Sequence, residues 1–323
     1  MNRRGSLLGC IAFAAFGFQL AHAAGYPTKP IKLIVPFAPG GSVDFIARVI
    51  AEPLTRELGQ PVVIDNKGGA GGILGTMEVV RAAPDGYTLL MVSPSVTAAN
   101  PAINPNAGYD PVTDLTAITI VAAGPTILAV RAGFPAKNFQ EFLAEVKNNP
   151  DRYTYATPGV GGILHLEVEY FKSLTGTSIR HVPFRGAGPA LVAVTSGQVD
   201  MLEDALPSSL PQINAGKLVP LVVSAPSRMK EIPNVPTFAE VGLPQLNHMS
   251  HWGILGPKGL PQEVIDKVNA AVRKAVSDPT VKKRIEDSGG FVVASSPQQF
   301  SADIKDLYTQ LKKVVADRKL TTE

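Results

Sequence analysis

The sequence predicts an α/β protein built as two lobes of βα units. Short apolar strands recur, each followed by a glycine loop and an apolar-periodic helix, which argues for a mostly parallel sheet. The composition, 45% hydrophobic against 18% charged, supports a real core and excludes a disordered or nucleic-acid-coating chain. The length of 323 residues exceeds what one core usually holds. Gly 30 and Pro 28, spread along the chain, imply many short elements joined by shaped loops and exclude a coiled coil or a collagen-like repeat.

Taken in order, the first segment is an address. Residues 1–23 carry Arg3 and Arg4, an apolar stretch over 7–20, and Ala21-His22-Ala23 with small residues where signal peptidase reads, so export and cleavage after Ala23 are expected. The stretch is too short to span a bilayer. Cys10 sits too early in it for a lipoprotein acylation site, and the mature chain would hold no cysteine for a disulfide, thiolate or metal. Without Arg3 and Arg4 the chain carries 28 basic and 27 acidic side chains, a balance that offers no footprint for nucleic acid or anionic lipid.

Residues 30–35 read as a strand, residues 37–42 as a glycine loop, and Ile46, Val49, Ile50 and Leu54 as the buried stripe of a helix. The same order recurs at 62–64 before Lys67-Gly68-Gly69-Ala70-Gly71-Gly72, at 153–156 before Gly159-Val160-Gly161-Gly162, and at 181–183 before Arg185-Gly186-Ala187-Gly188. Strand-like stretches at 126–131 and 251–257 are placed as two interlobe crossings. They divide the mature chain into lobe 1, residues 24–125 and 252–323, and lobe 2, residues 126–251. A last helix is read from Phe300, Ile304, Leu307, Leu311 and Val314, with Ser296 and Gln299 as a capping box around Pro297 and the stripe assigned to core.

A helix that follows a glycine loop presents unpaired N–H groups and positive dipole potential, so it can hold an anion without basic side chains. None of the three G-x-G runs completes a dinucleotide fingerprint: Leu74, Leu164 and Leu191 stand where the third glycine belongs, and Lys67 precedes its glycines, unlike a phosphate-loop lysine. Catalysis is equally hard to assemble, because no zinc-protease histidine pair and no nucleophile elbow occur. His165, in a helix first turn, is read as neutral, and His248 and His251 are not read as a metal site. Asp200, Glu203 and Asp204 are split between strand faces, with no second carboxylate pair in view. Asp44 is read as a first-turn carboxylate that stabilises its helix.

Several motifs in a fixed order carry a resemblance: Pro36-Phe37-Ala38-Pro39-Gly40-Gly41 with Asp44, the Asn66-Lys67 glycine run, Pro84-Asp85-Gly86-Tyr87-Thr88-Leu89, Val182-Pro183-Phe184-Arg185-Gly186, Gly197-Gln198-Val199-Asp200-Met201, Pro233-Asn234-Val235-Pro236-Thr237 with Glu240, and Trp252-Gly253 before Gly256-Pro257. In these the chain closely resembles the extracytoplasmic solute receptors of tripartite tricarboxylate transporters, called Bug receptors. The resemblance implies a periplasmic, non-enzymatic binding protein of the two-lobed Venus flytrap kind, and a monomer without cofactor or metal is expected. It implies delivery of a small carboxylate to a permease of one large and one small membrane subunit.

It also implies where the ligand lies: between Phe37, Gly40, Gly41 and Ser42 of the first loop and Thr157, Gly159, Gly161, Gly162, Ile163 and His165 of the second. Ser93, Ser95 and Thr97 would line one side, and Arg185, Gly186, Ala187 and Asp204 the other. One departure stands out, because Gly162 and Ile163 occupy positions where the family commonly has serine or threonine, which predicts a less polar ligand at that end. Two other readings share the pocket: a sensor docking a membrane signalling protein, and a periplasmic hydrolase or isomerase using Asp204 and His165.

Overall fold

The computed structural model describes residues 25–321, so the signal peptide over 1–23 and its cleavage after Ala23 lie outside the described residues. The chain opens with β1 (Ile31–Val35), α1 (Ser42–Leu58), β2 (Val62–Asn66), α2 (Ile73–Val80) and β3 (Thr88–Val92), then a π-helical turn at Ser95–Ala99 and α3 (Asn100–Ile103). A long strand, β4 (Leu115–Arg131), leads to α4 (Phe139–Asn148), β5 (Thr154–Thr157), α5 (Ile163–Thr175), β6 (Arg180–Pro183), α6 (Ala187–Thr195), β7 (Met201–Ala205), α7 (Leu206–Asn214) and β8 (Leu218–Ser224). The return strand β9 (Met249–Pro257) precedes α8 (Gln262–Ser277), α9 (Pro279–Asp287), β10 (Phe291–Val292) and α10 (Pro297–Arg318).

The strands join in the order β2-β1-β3-β9-β4-β7-β5-β6, with β8 and β10 also beside β4. β4 changes partners along its length. Residues 115–125 pair antiparallel with β9, and residues 126–131 pair antiparallel with β7 and β8. Pro125, which has no N–H to give a ladder, stands at the switch. The expectation of a mostly parallel sheet is corrected here: only β1 with β2 and β3, and β5 with β6 and β7, run parallel. Strands that carry the chain between lobes must run opposite ways, and they form the antiparallel middle. β4 is also longer than the 126–131 stretch read from the sequence.

Alternation along β4 builds two cores around the second sheet. Ile127 and Ala129 face one side with Leu202 and Val223, while Leu128 and Val130 face the other with Phe142, Tyr155 and Phe171. The first sheet has its own core, drawn from the start and end of the chain and centred on Ile34, Ile46, Leu90, Trp252, Val272 and Phe300. α10 begins where expected, with Ser296 Oγ accepting from the Gln299 N–H at 3.1 Å. The capping box is only half formed, since the Gln299 amide donates forward to Asp303. Its stripe also divides. Phe300 and Ile304 are core, but Leu307, Leu311 and Val314 stay partly exposed and face a cavity.

Candidate ligand-binding site

Between the two sheets lies a cavity of about 40 Å³. Its wall is made by the first residues of four helices: Ser42, Val43 and Asp44 of α1, Ile163 and Leu164 of α5, Ala187 of α6, and Asp204 and Ala205 just before α7. First-turn N–H groups have no carbonyl partner inside their own helix, and four aligned dipoles add positive potential at one point. No lysine, arginine or histidine lines the cavity. Phe37, Ser93, Ser95, Ser250 and Trp252 complete the wall, and the Trp252 indole N–H donates to Ser42 Oγ at 3.1 Å.

The lobes meet tightly around this point. The Ala38 N–H donates to the Arg185 carbonyl at 3.0 Å. A β-carbon on Gly188 would sit 2.1 Å from the Pro39 carbonyl, and one on Gly41 would sit 2.8 Å from the Ala187 side chain, so glycine is what allows contact. Gly41 has an extended φ of −91°, so space, not positive φ, demands it. Gly161, by contrast, has φ 77°.

Each loop is tied to the helix it precedes. In lobe 1 the Gly40 N–H donates to Asp44 Oδ2 at 3.0 Å, and Asn66 and Arg48 hold the same carboxylate at 2.9 Å each. Burial raises the Asp44 carboxyl, but the hydrogen bonds from Arg48, Gly40 and Asn66 outweigh it and leave the group below its ordinary range. In lobe 2 the Gly161 N–H donates to His165 Nδ1 at 3.2 Å. Burial keeps the His165 ring neutral by lowering its affinity for a proton. Its ring stacks on His181 at 4.2 Å, and His181 stacks on Tyr155 at 4.7 Å and reaches Thr157 Oγ1 at 2.6 Å.

The residues expected at the site therefore separate into two groups. Phe37, Gly41, Ser42, Ser93, Ser95, Ile163, Ala187 and Asp204 line the cavity. Gly40, Gly161, Thr157 and His165 use their polar groups to shape the loops, with Gly159 bonded to Thr157. Gly162 is the N-cap of α5, Gly186 packs its backbone against Ala38, and Thr97 turns its hydroxyl back to the Ser93 carbonyl. Arg185 acts through its carbonyl while its side chain is exposed.

Asp204, fully buried, accepts from Ser208 and Ser209 at 2.6 and 2.7 Å, and burial pushes its carboxyl up to about 6 despite those bonds. His165 does not share the cavity wall with it, so the pair weighed for hydrolysis is not brought together. A carboxyl pair invisible in the sequence does form behind the cavity: Glu203 of β7 meets Glu167 of α5, and His248 caps Glu167. Burial and the Glu167 charge push the Glu203 carboxyl well up, which favours its neutral form beside Glu167. Among the described residues no cluster of metal-ligating side chains occurs, and no helix is long and apolar enough to cross a membrane.

A family profile described as "Tripartite tricarboxylate transporter family receptor" matches residues 46–320. The chain belongs to this receptor family. Among relatives, Protein BugT of Bordetella pertussis is 34% identical over 307 residues, covering 95% of this chain and 94% of that one. A solved structure described as a periplasmic transporter is 45% identical, with a TM-score of 0.91 over 93% of this chain and 100% of its own. MatC from Rhodopseudomonas palustris with bound malate is 33% identical, with a TM-score of 0.87 over 90% of this chain and 100% of its own.

In this tripartite-transporter receptor the departure at Gly162 and Ile163 has a structural counterpart. α5 has no cap from its own loop, and Ser95, from the opposite side of the cleft, accepts from the Ile163 N–H at 3.1 Å. A β-carbon at 162 would stand 3.1 Å from that hydroxyl. The Ile163 side chain lines the cavity and also packs with Ala99, Ile103 and Leu166.

Proposed function

We infer that this chain is a periplasmic receptor that captures a small carboxylate between its lobes and hands it to the large and small membrane subunits of a tripartite transporter, without chemistry of its own. The observation that carries the reading is the cavity at four helix N-termini with no basic side chain, a wall that fits an anion held by backbone N–H groups. The relative MatC, solved with malate, supports it. The lobes are taken as residues 24–125 with 252–323 and residues 126–251, supported by the partner switch of β4 at Pro125 and its pairing with Met249. The mature protein, cut after Ala23, works as a monomer. Scattering and calorimetry test this together: a titrated acid that binds should shrink the radius of gyration. Binding with no shrinkage would rule out closure, and turnover of the acid would rule out a simple receptor.

A further inference from the structure

The cavity at the helix N-termini, about 40 Å³, has room for roughly three water-sized groups. That is one carboxylate and little more. Beside it lies a second cavity of about 250 Å³, between α5, α10 and the chain entering β9. For scale, an apolar cavity of about 150 Å³ takes up benzene. Ile163 and Ser250 line both spaces, so the two adjoin at these residues.

The walls of the larger space are mainly apolar, from Leu166 and Tyr170 of α5 and from Leu307, Leu311 and Val314 of α10, with the neutral amides of Gln245 and Gln310 at their side. The three α10 residues are only partly buried and face this cavity, with Leu311 also packed against the cluster of Ala99, Ile103, Ile163, Leu164 and Leu166. Glu167 and His248 are the ionisable side chains besides Tyr170 in this wall, and they are bonded to each other. No lysine or arginine lines it. A second carboxylate placed there would meet the buried Glu167, with His248 already bonded to that group and no lysine or arginine to pair.

We propose that the ligand is a monocarboxylate with an uncharged apolar body: its carboxylate sits at the helix N-termini, and its body passes Ile163 into the space between α5 and α10. The proposal rests on the carboxylate-receptor reading and narrows its ligand class away from dicarboxylates such as malate. Ile163 is then the residue that sets specificity, standing where carboxylate ends and body begins.

Calorimetry on the mature protein with phenylacetate, hexanoate, succinate and malate tests it. Phenylacetate or hexanoate should bind at least tenfold more tightly than succinate. Leu311→Trp, which fills the larger space from α10, should reduce the ratio of phenylacetate to succinate affinity at least tenfold, and Val314→Trp serves if that variant does not fold. Gly41→Val should weaken every acid. Succinate binding more tightly than phenylacetate, or a ratio untouched by both tryptophan variants, overturns the proposal and leaves the receptor reading intact. Phenylacetate binding that survives Gly41→Val also overturns it, since the body would then be held alone. Binding of none of the four acids, with a folded protein, sinks the carboxylate reading itself and the proposal with it.

Discussion

The helix starts of α1 and α5 use one local device in two chemical forms. In each, a glycine is the N-cap, and the side chain three residues on reaches back to accept the N–H of the residue before the cap: Asp44 for Gly40, His165 for Gly161. Lobe 1 does this with an ionised carboxylate balanced by Arg48 and Asn66. Lobe 2 does it with a neutral ring in a stack. An anion approaching the cleft therefore meets a compensated charge in the loop before α1 and no charge in the loop before α5. The loops are equivalent in shape and unequal in how acid affects them.

The largest effect expected comes from removing the fit between the lobes. Gly41→Val places a side chain against Ala187 and should lower acid affinity by about ten- to a hundredfold, as overpacking of about 1–3 kcal/mol opposes closure. Calorimetry that finds native affinity would mean the cleft need not close this far. Asp44→Ala comes next. Loss of a buried carboxylate with three hydrogen bonds should destabilise the protein by about 2 kcal/mol in urea unfolding, more than the matching His165→Ala, which removes a neutral acceptor worth about 1 kcal/mol. Equal losses would erase the contrast between the two devices.

Ser95→Ala removes a cap that reaches α5 from the other side of the cleft, and if the lobes open without ligand, about 1 kcal/mol should appear as a roughly fivefold weaker acid affinity, with the unfolding midpoint of the ligand-free protein less affected. The smallest effect is the acid response. Asp44 binds its proton less readily in the fold than its ordinary 3.8, so its contribution is complete above about that pH and fades as pH falls through the lower folded value. His165 is lowered from 6.5 and His181 to about 4, so the lobe 2 loop is fully supported above pH 6.5 and loosens as pH falls toward 4. Between pH 7 and 4.5, hydrogen-exchange protection, corrected for the intrinsic rate at each pH, should fall at residues 158–163 and not at 37–41. The reverse order would reject the assignment of charge states.

Much of this was legible in the letters, and the reason is local. A strand, a glycine loop and a periodic helix are set by neighbours within a dozen residues, so β1, α1, β2, β5, β6 and the start of α10 could be read. What failed needed distant partners. The antiparallel middle depends on β9 lying between β3 and β4, and no short window records that. Ser95 looked like a ligand hydroxyl and also serves as the cap of a helix 68 positions away. Ser250 and Trp252 line the cavity although their strand was read only as a crossing. Glu167 drew no reading from the letters, because the partners that close around it, Glu203 and His248, come from distant parts of the chain.

The insertion of β9 between β3 and β4 also dictates an order of assembly. Residues 126–224 contain every strand of the second sheet, so that half can pair as soon as it has been made. The first sheet cannot: β1, β2 and β3 have an unfilled edge until residue 257 has followed, and Trp252 and Phe300 of their core arrive later still than the strands they cover. The earliest-made third of the chain thus waits longest with an open strand edge and exposed apolar surface, the condition in which chains aggregate. A refolding experiment should show the middle of the chain protected first and its two ends together afterwards.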